Sequence, residues 1–446
     1  MVVAASMLAG CSGGPAPVER TPLTVEQRNL NVESFDQVWT TIRDEHFDPT
    51  LGGLDWNAVK AELRPKVETA GSMDAAREAM SAMIARLGQS HFGIIPAAAY
   101  DEVEGDKPAD KKGDGGDDKK LAGDGASGVH FRAVNDQAVV LRVDSGSAAE
   151  RAGVKPGWIL DGAERTLTAI KNAYGDTVKG RTMAARALDN KLSGGVGEVI
   201  SPTFIDGKDR KVTVPITLGA PAGKPTTLGN LPTMYVTFDS RRIADTSASG
   251  RDVGYFTFSA FLDPARIMPK IVEAVASFGD CAGIVIDLRG NPGGIGAMAT
   301  GVAGRFIGEQ VTLGEMNMRD SSFKFIVFPQ ARRFEGPVAI IVDETSASTS
   351  EIFAGGMKDL GRARVFGTPS AGQALPSTIV RLPNGDGFQY AFANYVSAGG
   401  KALEGDGVTP DTIAPPERSR LLAGGDPALD AAVAWIREQQ AKVSLQ

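Results

Sequence analysis

Residues 342–353 read Val342-Asp343-Glu344-Thr345-Ser346-Ala347-Ser348-Thr349-Ser350-Glu351-Ile352-Phe353. Val338 to Val342 is a short unbroken apolar run, the pattern of a strand buried on both faces. A helix is expected from about Ser350 to Leu360, and small hydroxyl residues make the turn between the two. A serine at such a turn exposes its hydroxyl. It also lies beside the N-terminal N–H groups of the helix, which can stabilise a developing oxyanion. Ser and Thr are equally the ordinary caps that precede a helix, so this stretch alone leaves both readings open.

The preceding buried run, Ile284 to Leu288, leads into Asp287-Leu288-Arg289-Gly290-Asn291-Pro292-Gly293-Gly294. Glycine turns admit close backbone approach to a substrate, although an ordinary tight turn would look the same. Two strand ends of one α/β sheet that carry such turns point into a common crevice. Further strands are expected at Val253–Phe261 and Phe388–Val396, with helices at Pro264–Phe278, Ile295–Phe306 and Ala428–Gln439. This βα alternation predicts an α/β core over residues 218–446 with a mostly buried sheet.

Toward the N-terminus, Phe35, Val38, Trp39 and Ile42 recur at helical spacing, and Asp48-Pro49 stops that helix. Asp55 and Ser72 can cap two more, giving a helical N-terminal domain over 22–100 that ends in a short strand after Ser90-His91. Residues 101–124 are mostly Asp, Lys, Gly and Glu, too polar to offset their chain entropy, and read as a solvated linker. From 125 to 217 strand-like runs return around Ser147-Ala148-Ala149-Glu150-Arg151-Ala152-Gly153-Val154. Leu167 to Glu198 fits no expected element of that unit. With the linker on one side and the Gly- and Pro-rich Leu218–Gly229 stretch on the other, the unit is expected to move relative to the core.

The 446 residues allow about three domains, and the 42% apolar content suffices for real cores. A net charge of −7 without a basic stretch argues against nucleic acid as a partner. Cys281 enters an apolar run and reads as a buried hydrophobe. Cys11 ends Leu8-Ala9-Gly10-Cys11 and precedes a Gly- and Pro-rich tether. That arrangement resembles a bacterial lipobox and makes 1–21 a lipoprotein signal and tether. It places the protein in the cell envelope, on the periplasmic side, held to a membrane through a lipid on Cys11. The segment before it is short and lacks a basic n-region, as expected if it is the end of a longer signal. The three histidines are scattered and no His-Glu-x-x-His occurs, so neither a metal nor another cofactor is expected.

Asn291-Pro292-Gly293-Gly294, Ser346-Ala347-Ser348-Thr349-Ser350-Glu351-Ile352 and Glu404-Gly405-Asp406-Gly407-Val408-Thr409-Pro410-Asp411, in that order, resemble the tail-specific (C-terminal processing) serine peptidases of family S41. The resemblance implies a Clp-protease/crotonase-like core, a PDZ-like β-rich unit at 125–217, and protein or peptide substrates held near their C-termini. It implies Ser348 as nucleophile, backbone N–H groups of Gly294 and Thr349 as the oxyanion hole, and Gly128, Val129 and Phe131 as peptide-binding positions. Well-known members carry a Lys base 25 residues after the serine, where this chain has Gln373, an amide unable to take a proton. Lys358 reads as a solvated charge. The tricorn-core-like branch uses Ser-His-Ser-Glu instead, which maps onto His91 as base with Ser90 and Glu404 behind it. A structural role for His91 is the plainer alternative; His46 reads as an exposed or capping residue and His130 as part of the PDZ turn. The rival to a peptidase is a non-catalytic peptide- or lipid-binding protein on the same fold.

Overall fold

The computed structural model describes residues 23–97, 125–227, 233–245 and 250–444. Cys11 with its tether and the charged linker 101–124 lie outside the described residues. The chain is a mixed α/β multidomain protein with a helical N-terminal region. Its largest sheet has six strands in the order 238–243, 253–258, 283–287, 338–342, 364–367 and 412–413, antiparallel at the first pair and parallel thereafter. The two central strands, Gly283–Asp287 and Val338–Val342, are buried at every position, as their unbroken apolar runs require. Helices Pro264–Ser277, Gly296–Ala303 and Thr349–Asp359 share one apolar core with this sheet, and Pro427–Ser444 packs on its strands 253–258, 283–287 and 338–342 through a second cluster around Ile436 and Val285.

The N-terminal helices are Val25–Glu45, Trp56–Glu68 and Met73–Ala85, with Asp55 and Ser72 capping the last two as their residue types dictate. They do not close a core by themselves. Their apolar cluster is completed by Leu382, Phe388 and Tyr390 from the far end of the chain. The strand Gly93–Ile95 pairs antiparallel with Gly387–Ala391, and Arg77 forks onto fully buried Asp386 at 2.8 and 2.9 Å. The region around Ser90 and His91 is thereby fixed to the core. His46 is buried, not exposed: it caps the first helix and hydrogen-bonds Gln89 at 2.9 Å.

Residues 125–217 hold an antiparallel five-stranded sheet with Val129–Val134 at one edge. The stretch that matched no sequence pattern contains the helices Glu164–Tyr174 and Val178–Asp189, the second lying against that edge strand. The expectation of a unit joined only through its linkers is not met. Arg132, 3% exposed on the edge strand, reaches across to Asp343 at 2.5 Å and donates to Thr345 at 2.8 Å, both in the turn that leads to Ser348. Glu344 and Asp189 stand 3.6 and 3.8 Å from the same guanidinium. Thr182 donates to the Glu344 carbonyl at 2.8 Å, and Arg418 donates to the carbonyls of Gly157 and Asp206. Burial pushes the Asp343 carboxyl up, but the Arg132 charge together with the hydrogen bonds from Thr345 and Arg132 outweighs it, and the net shift is downward.

Removing one partner of a buried ion pair strands the other, at a cost of about 3–5 kcal/mol. Arg132→Ala should therefore lower the stability of the seam by that order in denaturant unfolding, and Asp343→Asn on the same background should restore part of it. A loss below about 1 kcal/mol would mean that water replaces Arg132 at the seam.

Candidate active site

The turn at 343–348 leaves the sheet at the C-terminal end of a buried strand, and Ser348 adopts φ 54°, ψ −118°. This is a strained backbone for a residue with a side chain, costing about 1–3 kcal/mol, and it persists because its surroundings fix it. The neighbouring hydroxyls are spoken for. Ser346 donates to the Leu288 carbonyl at 2.8 Å and Ser350 to the Asn291 carbonyl at 2.9 Å, both without exposure. Ser348 alone of the three is partly exposed.

Glu351 does most of the fixing. Its carboxylate is fully buried and accepts from Ser348 N at 3.0 Å, Gln373 N at 2.9 Å, Gly372 N at 2.8 Å and Ser370 Oγ at 2.6 Å. Burial pushes its pKa up to about 7 against these four donors. The Asn291-Pro292-Gly293-Gly294 turn is latched alongside. The Asn291 carbonyl accepts from Ala347 N and Ser350 Oγ, and Thr349 Oγ1 donates to the Gly294 carbonyl at 2.8 Å. A Cβ on Gly293 would stand 2.8 Å from Ser348 Cβ and 2.7 Å from Thr349 N, so only glycine fits. The N–H groups of Gly294 and Thr349 have no hydrogen-bond partner among the described residues, which leaves two free donors in the turns around Ser348.

Ser90, His91 and Glu404 come together from chain ends more than three hundred residues apart. Glu404 Oε1 accepts from Ser90 N at 2.7 Å, and Oε2 accepts from Ser90 Oγ at 3.0 Å and Ala374 N at 3.2 Å. Ser90 Oγ lies 2.7 Å from His91 Nδ1. A hydroxyl has one proton; given to Glu404, it leaves Ser90 Oγ to accept from Nδ1–H, and His91 Nε2 then carries the free lone pair. Burial, aided by the charge of Arg186, lowers the His91 pKa to about 4, so the ring is neutral at pH 7. Burial also raises the Glu404 carboxyl, with the Ser90 hydrogen bonds acting the other way.

The two groups meet at residues 373–374. Gln373 O accepts from Ser348 N at 2.9 Å, while the next N–H, of Ala374, points to Glu404. No hydrogen bond joins Ser348 to His91 among the described residues. Of the other candidates, Lys358 is not a free solvated charge: it donates to the Thr409 carbonyl and pairs with Asp411 at 3.1 Å. His130 pairs with Asp144 at 2.9 Å. Gly128 has φ 78° and abuts Ser147, Val129 N reaches Ser127 Oγ at 3.3 Å, and Phe131 N donates to Asp189 Oδ1 at 2.7 Å. The sequence reading missed Glu351 as a hub, although Ser-x-x-Glu ahead of a helix is a capping-box signal. It also missed Arg132 and Arg186, for which a single sequence offers no signal.

A family model described as peptidase family S41 matches residues 252–414, and one described as the tricorn protease C1 domain matches 31–85. The chain is 27% identical over 407 residues to the chloroplastic carboxyl-terminal-processing peptidase 3 of Arabidopsis thaliana, covering 89% of this chain and 70% of that one. It is 24% identical over 410 residues to a carboxyl-terminal-processing protease of Picosynechococcus sp., covering 90% and 86%. The solved photosystem II D1 C-terminal processing protease has a similar fold, with a TM-score of 0.55 at 20% identity over 91% of this chain and all of the other.

If neutral His91 is the base, activity should survive acidification well past the usual imidazole range and fall only as pH drops through about 4. The acid limb of kcat/KM on an uncharged peptide measures this. A limb near 7 would contradict the lowered imidazole and would place control either in a ring of ordinary basicity or in the buried Glu351 carboxyl, which Glu351→Gln would tell apart.

Proposed function

This chain belongs to peptidase family S41 and is a serine endopeptidase; on that premise we propose that it cleaves polypeptides through an acyl-enzyme on Ser348, with His91 as the base in a tricorn-core-like Ser-His-Ser-Glu site. His91 Nε2 takes the Ser348 hydroxyl proton as Oγ attacks the peptide carbonyl. The oxyanion is met by the N–H groups of Gly294 and Thr349. The same imidazole returns the proton to the leaving amine, and then activates the water that releases the acyl group. Ser90 and Glu404 keep the ring in the tautomer this requires.

The observation that carries the reading is the continuous path from Ser348 N through Gln373 and Ala374 to Glu404, Ser90 and His91. A Ser-Lys dyad has no support: Gln373 stands at the Lys position, and Lys358 is occupied by Thr409 and Asp411. We read the core as Clp-protease/crotonase-like and residues 125–217 as a PDZ-like unit. It presents an edge strand, Val129–Val134, beside the helix Val178–Asp189, the arrangement that takes a peptide by strand addition. A peptide bound there displaces Asp189 from Phe131 N. Processing near C-termini is proposed from the names of the relatives.

Ser348→Ala should abolish hydrolysis of an unfolded protein substrate while leaving thermal unfolding nearly unchanged, and His91→Ala should remove most of the activity. Ser350→Ala and Gln373→Ala should cost far less. An essential Ser350 beside a dispensable Ser348 contradicts the assignment.

Attachment to a membrane of the cell envelope through Cys11 belongs to the same proposal and rests on Leu8-Ala9-Gly10-Cys11 and the tether after it. Cys11→Ser should move the protein from the membrane fraction to the soluble one. A wild-type protein that already fractionates as soluble rejects the anchor and leaves the peptidase assignment standing.

A further inference from the structure

The helix Val178–Asp189 carries more than one wall of the peptide groove. Positions 179 and 186 are two turns apart and share a face. Arg186 donates to Gln373 Oε1 at 2.9 Å, and the carbonyl of the same Gln373 holds Ser348 N at 2.9 Å. The guanidinium is thus one residue away from the nucleophile's backbone. Its charge acts on His91, and that of Lys179, on the same helix face, acts on Glu404.

Among the described residues neither cation has an ionic partner. Among the described residues Arg186 pairs with no carboxylate, and Lys179 has only the Tyr174 ring, 5.4 Å away. The two other arginines described at this seam differ: Arg132 and Arg418 each hold a carboxylate, at 2.5 and 2.8 Å. A neutral amide leaves the Arg186 charge uncompensated, and one hydrogen bond leaves most of its N–H fork unused. The side chain is exposed, so a substrate in the crevice can reach it. Arginine's planar fork suits a carboxylate in particular.

We propose that Arg186, supported by Lys179, forms a carboxylate-recognising subsite beside Ser348 that selects substrates with an acidic group close to the scissile bond. The group is an Asp or Glu side chain or the free α-carboxylate of a C-terminus, since both offer the same pair of oxygens. The inference rests on the assignment of Ser348 as nucleophile, and it adds the substrate class which that assignment leaves open.

The test uses matched peptides bearing Asp, Asn or Lys at each position flanking the cleaved bond, each as free acid and as C-terminal amide. Turnover is read on the wild-type chain. Affinity is read separately on the full-length Ser348→Ala chain, so that a failed peptidase assignment and a failed subsite are told apart. At one position Asp should exceed Asn by roughly fivefold in kcat/KM and in affinity, as expected for a partly exposed charge pair. Arg186→Glu should invert the order in favour of Lys, and Lys179→Gln should weaken it. A preference that follows free acid over amide, whatever the side chains, identifies the terminal carboxylate as the group bound. Equal binding of all peptides overturns the proposal. So does an Arg186→Glu variant that loses the same factor on every substrate, which would make Arg186 a positioning residue for Gln373.

Discussion

A buried carboxylate must be surrounded by donors, and at Glu351 that requirement organises everything around the serine. Four donors converge on two oxygens that are shut off from bulk solvent. Two come from the backbone of 372–373, one from Ser370 and one from Ser348 itself. The result is that the strained Ser348 backbone and the loop carrying Gln373 cannot shift independently. Ser370 extends the hold by accepting Val408 N at 2.6 Å, which ties in the segment that follows Glu404. Ser348, the Gln373 carbonyl that accepts from its N–H, and Glu404, which accepts from Ala374 N, are therefore held in one hydrogen-bonded assembly.

The relay itself is supplied by a part of the chain that could not fold into place alone. The N-terminal helices bury their apolar faces against Leu382, Phe388 and Tyr390, and the strand after His91 completes a core sheet. Burial of that kind, at about 1.5–3 kcal/mol per large side chain, holds Ser90 and His91 against the core. The same packing desolvates the imidazole and keeps it neutral, the form that the proposed role of general base calls for. The third part, residues 125–217, contributes charge: Arg132 fixes the turn ahead of Ser348, and Arg186 lies beside Gln373. Electrostatics at this site are thus set by three regions distant in sequence.

The fold was legible where one physical rule dominates. Unbroken apolar runs gave the strands at 283–287 and 338–342 almost to the residue, and Asp55 and Ser72 marked helix starts through capping. Ser348, His91, Ser90 and Glu404 were reached through a resemblance, and the structure brings the last three into hydrogen-bond contact. What stayed hidden depends on contacts between distant segments. The hairpin 311–318/322–327 went unread because only four of its fourteen residues are buried and its alternation is broken by a bulge. The docking of 125–217 went unread because it turns on Arg132, a single residue in an ordinary strand pattern. The polarity of the linkers suggested freedom of motion, and polarity cannot report a buried ion pair formed elsewhere.

The central claim is that Ser348 is activated by a relay assembled across the whole chain. The most direct measurement is reaction of the intact protein with a fluorophosphonate, followed by peptide mapping of the adduct. The account predicts one adduct, on Ser348, formed at pH 7 at a rate that collapses when Glu404 is changed to Ala. No adduct, an adduct on Ser346 or Ser350, or a rate indifferent to Glu404 would contradict it.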